Sequence, residues 1–188
     1  MLPPYSYSGR AEMMEAMHST FQLYGQRKRT AGKNKSGFSL IELLIVIAII
    51  LVIAAIAIPN LIRSRMQANE AAAVAQTRYL NTAEVAYLST YGGHSPSLAA
   101  LGPPGGGGGA TALAADLIDN VMASGIKGGY SYVYTPSAPV GGLIFGYTIN
   151  ANPLNMGSTG QRGFYSDQTG VIRFHINGVA TIADSPVN

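Results

Sequence analysis

The sequence predicts an α+β fold: one long N-terminal helix packed under a four- or five-stranded antiparallel sheet. Three observations predict it. Residues 38–58 form an apolar run, FSLIELLIVIAIILVIAAIAI, broken only by Ser39 and Glu42. From Pro59 to Tyr91 apolar residues recur with a helical period. From Gly129 onward the period changes to two, in aromatic and β-branched runs bounded by Gly, Pro and Asn.

The apolar run comes first. Its 21 residues, at about 1.5 Å each, make a helix of roughly 31 Å, enough to cross the hydrocarbon core of a bilayer. Ile and Val are no obstacle, because lipid forces a spanning segment to satisfy its own backbone hydrogen bonds. Lys33 and Lys35 lie just before it, so the first residues stay in the cytoplasm and the chain after Asn60 is exported. Glu42 is the exception inside the run. A lone carboxylate there costs several kcal/mol unless it is neutralised or paired. Ser39 and Glu42 also have the spacing of a capping box, which explains the acid locally. A plain signal anchor is a second local reading of the span. A cleaved signal peptide does not fit: its apolar core is about 7–15 residues and its small-residue cut site follows that core. Here Gly37 precedes the run.

The same residues carry a family resemblance. Lys35-Ser-Gly37-Phe38-Ser-Leu-Ile-Glu42-Leu-Leu44 resembles the processing site of type IV pilins and type II secretion pseudopilins. The resemblance implies that a membrane-embedded prepilin peptidase and methyltransferase cuts between Gly37 and Phe38 and methylates the new N-terminus at Phe38. Glu42 and Pro59 fit the family's pattern and would serve assembly. The implied organisation is a cytoplasmic leader over 1–37, removed on processing; a transmembrane and polymerisation half of the long helix over 38–58; and an exported globular domain over 59–188. The implied product is a structural subunit. It starts as a single-pass precursor in the bacterial inner membrane, meets an assembly platform there, and joins copies of itself in a helical filament, periplasmic or at the cell surface. A type IV pilus is the first reading and the pseudopilus of a type II secretion machine the second. An anchored periplasmic binding module that never polymerises is the alternative of another class.

The remaining elements follow in order. Residues 1–37 are polar, with a basic cluster at Arg27-Lys28-Arg29 and further possible starts at Met13, Met14 and Met17. Pro59 removes one helical hydrogen bond and crowds the preceding turn, so a bend is expected there. Beyond it Ile62, Met66, Ala73, Leu80, Ala83, Tyr87 and Tyr91 make an apolar stripe, with Arg63, Arg65, Glu70, Arg78 and Glu84 falling away from it. A helix from Phe38 to Tyr91 is roughly 80 Å long, too long for a domain of about a hundred residues to bury. Its first half must find lipid or other copies of itself. Gly92-Gly93 ends it. Residues 95–101 read as a short turn, the glycine-rich 102–109 as a loop, and 110–123 as a second helix stopped by Gly125. Strands are expected at 130–134, 143–149, 163–165 and 171–176. Asn177-Gly178 has the signature of a type I′ turn leading into 179–182. Residues 164–173, FYSDQTGVIR, also resemble the terminal hairpin of some bacterial pilin-like proteins.

Composition excludes several classes. Of 12 basic residues, six (Arg10, Arg27, Lys28, Arg29, Lys33, Lys35) precede Phe38, as do two of the nine acids, Glu12 and Glu15. The chain from Phe38 therefore has six basic and seven acidic side chains, and no basic patch for nucleic acid. With no cysteine there is no disulfide, a departure from the many type IVa pilins that close a C-terminal loop with one. His18, His94 and His175 are far apart in sequence, and no cluster has metal-ligand spacing. The glycine loop runs into Ala110-Thr111 and lacks the Lys-Ser/Thr of a phosphate loop. Asp116 and Asp119 share the expected second helix as a solvated pair. Asp167 with Asp184 could contribute to a C-terminal calcium site of the kind some major pseudopilins have, but the oxygen ligands visible in the sequence are too few to expect one. The tyrosines, Tyr79, Tyr87 and Tyr91 among them, read as core packing rather than as a path for electrons or a glycan platform. No enzyme, cofactor or metal is expected.

Overall fold

A computed structural model describes residues 37–187. The leader's basic cluster, its three methionines and His18 lie outside the described residues. The chain divides into two units, Met1–Ala48 and Ile49–Asn188, with the division inside the apolar run.

Helix α1 spans Leu40–Tyr91, with Pro59 inside it and helical structure on both sides. Every residue from Gly37 to Arg65 is exposed apart from the half-buried Ala54, because nothing among the described residues covers that stretch. From Met66 onward α1 buries one stripe, including Ala73, Val74, Leu80, Ala83 and Tyr87. It ends at Gly92, whose φ of 78° is the left-handed conformation that glycine adopts without strain, and whose N–H donates to the Leu88 carbonyl at 2.9 Å.

Five antiparallel strands follow in sequential order. They are β1 (Ile126–Lys127), β2 (Tyr130–Pro136), β3 (Tyr147–Pro153), β4 (Arg162–Asp167) and β5 (Arg173–Ile176). The period-two pattern places Tyr130 and Tyr132 of β2, Tyr147, Ile149 and Ala151 of β3, and Phe164 of β4 in one core with the α1 stripe. A 3-10 turn, Leu98–Leu101, and Met122 complete that core. The buried Tyr130 and Tyr147 and the half-buried Tyr134 keep their hydroxyls bonded: Tyr130 to the Arg162 carbonyl at 2.9 Å, Tyr134 to the Ser95 carbonyl at 3.0 Å, and Tyr147 to Asn81 Oδ1 at 3.1 Å. Burial raises the pKa of all three, and pushes that of Tyr132 up to about 12.

Four expectations are corrected. The helix expected over 110–123 is only α2, Asn120–Ala123, because the preceding backbone is spent elsewhere. Ala115, Asp116 and Leu117 donate to the carbonyls of Ala100, Gly102 and Leu101 at 2.8–2.9 Å. Asp116 takes a φ of 56° outside the helix, whereas Asp119 caps it by accepting from Met122 N, so the two acids share no helix. The strand expected at 143–149 begins only at Tyr147. Gly141 and Gly142, both at positive φ, close a turn in which Val140 and Leu143 exchange hydrogen bonds of 2.8 and 3.1 Å. Residues 179–182 form no strand. They cross the outer face of the sheet, where the Asn150 amide donates to the Ala180 carbonyl at 2.9 Å. The crossing is possible because Gly163 has no side chain: a Cβ there would run into the Gly178 carbonyl. Glu70 and Glu84, finally, are buried rather than turned away from the stripe.

Those two acids fasten α1 to the rest of its unit. Glu70 Oε1 accepts from the N–H groups of Gln161 and Arg162 at 2.7 and 3.2 Å, and Oε2 takes Arg162 Nε at 2.7 Å. Glu84, fully buried, accepts from Ser95 N and Ser95 Oγ and pairs with His94 Nδ1 at 3.0 Å. The spacing 66, 70, 77, 84 is itself a helical face in register with Ala73 and Leu80. That phase, rather than the charge, is the signal of their burial.

Candidate functional site

Gly37, Phe38 and Ser39 lead non-helically into α1, and the first helical bond runs from Leu43 N to the Ser39 carbonyl at 3.1 Å. Ser39 is thus the N-cap by backbone. The reciprocal side-chain bonds of a capping box with Glu42 do not form among the described residues. Gly37 is exposed, and a Cβ placed on it would meet nothing within 4 Å. Phe38 is 81% exposed. Glu42 is the one acid in the first turn of α1, also exposed, where the partial positive charge of a helix N-terminus favours a carboxylate. If the bond after Gly37 is cut, a new ammonium appears at Phe38, one turn before that carboxylate. The macrodipole disfavours this ammonium where it sits, so it needs an acid. Pro59 lies further along the same helix and has no part in this cluster.

The described helix is long and apolar enough to cross a membrane, and none of its most apolar stretch is buried. Residues 32–58 match the family model described as the prokaryotic N-terminal methylation motif. The chain is also similar to a curated protein, the type IV wide pilus major component PilA4 of Thermus thermophilus, at 55% identity over 51 residues. The match covers 27% of this chain and 37% of the relative, so the chain spans little more than a third of the curated relative's length. No solved structure matches.

Elsewhere the other residues weighed from sequence are engaged locally. Asp167 Oδ1 accepts from Thr169 N and Thr169 Oγ1, at 2.9 and 2.6 Å. Asp184 Oδ1 meets His175 Nδ1 at 2.9 Å, and its Oδ2 accepts from Thr181 N and Oγ1. Among the described residues no three His, Cys, Asp or Glu side chains are grouped to hold a metal ion.

Proposed function

We propose that this chain is a prepilin, cleaved after Gly37, N-methylated at Phe38, and polymerised through its apolar helical half into a type IV pilus or pilus-like filament. The observation that carries the reading is the methylation motif at residues 32–58, running into a helical stretch whose surface is apolar and uncovered. In the bilayer that surface is solvated by lipid; in a filament it packs against equivalent helices. Glu42 pairs with the Phe38 ammonium of a neighbouring subunit, and the penalty for leaving either charge alone in an apolar bundle, about 3–5 kcal/mol, fixes the register.

The test is mass spectrometry of the N-terminus with electron microscopy of sheared surface material. The expected results are a methylated Phe38 and thin filaments containing this chain. An N-terminus elsewhere, or a processed chain never found in filaments, rejects the reading. Gly37→Val leaves the fold unchanged, since nothing within the chain crowds that Cβ, and blocks cutting through its clash with the peptidase.

A further inference from the structure

We propose that the groove between α1 and the β4–β5 end of the sheet binds the phosphate of an anionic phospholipid, in the leaflet that the exported domain faces. The proposal rests on the reading that the apolar run spans a bilayer. The groove is a cavity of about 530 Å³ lined by Arg63, Met66, Gln67, Glu70, Gln161, Arg162 and Ile176. All belong to the unit Ile49–Asn188, as do the last residues of the apolar run.

Depth is the first argument. Arg63 follows Ile62 directly and lies five residues beyond Ile58, about 8 Å along the axis. The polar headgroup layer occupies about 5–8 Å on each side of the hydrocarbon core, so Arg63 stands at its level. Arginine at the end of a span extends to that layer.

Chemistry is the second. Arg162 is held by its Nε edge on the buried Glu70, at 2.7 Å, with its guanidinium 5.6 Å over each of the Phe164 and Phe174 rings. Its two terminal nitrogens make no hydrogen bond among the described residues. Arg63 has no carboxylate partner among them. A phosphodiester offers two oxygens to such a fork, a geometry lysine does not provide. The Gln67 and Gln161 amides add neutral donors for a glycerol headgroup, while Met66 and Ile176 make the apolar border.

Charge is the third. Two guanidinium charges against the Glu70 carboxylate leave the groove with one net positive charge, which matches one phosphodiester. A zwitterionic lipid also brings a cation. The groove has no unengaged carboxylate to receive it, because both Glu70 oxygens already accept from Gln161 and Arg162.

The experiment uses the full chain in nanodiscs of equimolar phosphatidylglycerol and phosphatidylcholine, with retained lipids counted by native mass spectrometry. Wild type should retain phosphatidylglycerol in excess. Arg63→Gln should cut that preference about tenfold, the loss of one charge-assisted contact. Arg78→Gln, exposed on the same helix but outside the groove, should not. The basic leader is common to all three chains and cancels. A chain that does not enter the nanodisc overturns the membrane reading and this proposal together. Entry with equal retention in wild type and Arg63→Gln overturns the groove alone. Loss of the preference on adding excess inorganic phosphate assigns the site to a free anion, and a filament defect in Arg63→Gln with unchanged lipid assigns it to a subunit contact; either result rejects the lipid.

Discussion

At the scale of single residues, Glu42 bears most on assembly. Among the described residues its side chain makes no capping bond, so substitutions there read its charge with little local confusion. Glu42→Ala should leave export and insertion intact, since an apolar run accepts a neutral residue more readily than an acid. If Glu42 pairs with a neighbour's Phe38 ammonium, both Glu42→Ala and Glu42→Gln should accumulate as processed subunits with few filaments by electron microscopy. Filaments with Gln but not Ala would replace the ion pair by a neutral hydrogen bond. Normal filaments with both would remove Glu42 from assembly. The residue scale is also where sequence reasoning was weakest. Glu42 was legible because an acid in an apolar run has no ordinary explanation. Glu70 and Glu84 were not, because an acid among helical polar residues usually faces water, and only the distant Gln161–Arg162 turn and the His94–Ser95 corner supply the donors that bury them.

At the scale of elements, the fold was legible wherever composition and period agreed. Tyr130–Tyr134 and Phe164–Tyr165 alternate cleanly and are strands. Leu143, Ile144 and Phe145 have the same composition and are not, because two consecutive glycines at positive φ turn the chain before it can pair. The segment 179–182 was misplaced for a related reason. A turn signature at Asn177-Gly178 fixes the reversal but not what the returning chain lies against, and Gly163 decides that from another strand. Gly163→Val should therefore destabilise the globular domain by roughly 1–3 kcal/mol, through overpacking against the crossing segment. Chemical denaturation measures it, and an unchanged midpoint would show that the crossing adds nothing. The glycine loop gives the opposite expectation. No Cβ on Gly105–Gly109 would meet anything within 4 Å, and loop length weighs little on stability. Deleting three of these glycines should lower the melting temperature by less than about 5 °C.

At the scale of the molecule, the globular part is held by a core whose buried aromatic side chains are mostly tyrosines, spread over α1, β2 and β3. A phenol whose pKa is raised by folding contributes stability that is fully present below its unfolded value near 10 and is lost as pH rises through the folded one. The domain should accordingly keep its melting temperature from neutral pH to about 9 and lose it steeply between about 10 and 12. The tyrosinate absorbance should appear together with unfolding rather than before it. Gradual ionisation of a folded domain would mean that these rings are more open to water than their burial indicates.

The C-terminal crossing has a consequence for where such a domain can survive. A covalent bridge in its place would have tied its integrity to the electron balance of its surroundings. This closure is made of Asn150, Gly163 and the Asp184–His175 contact, so thiol reductants leave it untouched and no oxidising catalyst is needed to form it. Its sensitivity is to protons. The His175 contact, followed by the Thr181 N–H and hydroxyl, draws the Asp184 carboxyl down to about 2. That contribution is present above the unfolded value near 3.8 and fades as pH falls toward 2. The melting temperatures of wild type and Asp184→Asn should differ at pH 6 and converge near pH 2, with reductant changing neither. A chain fastened this way trades dependence on redox machinery for a limit set by acidity.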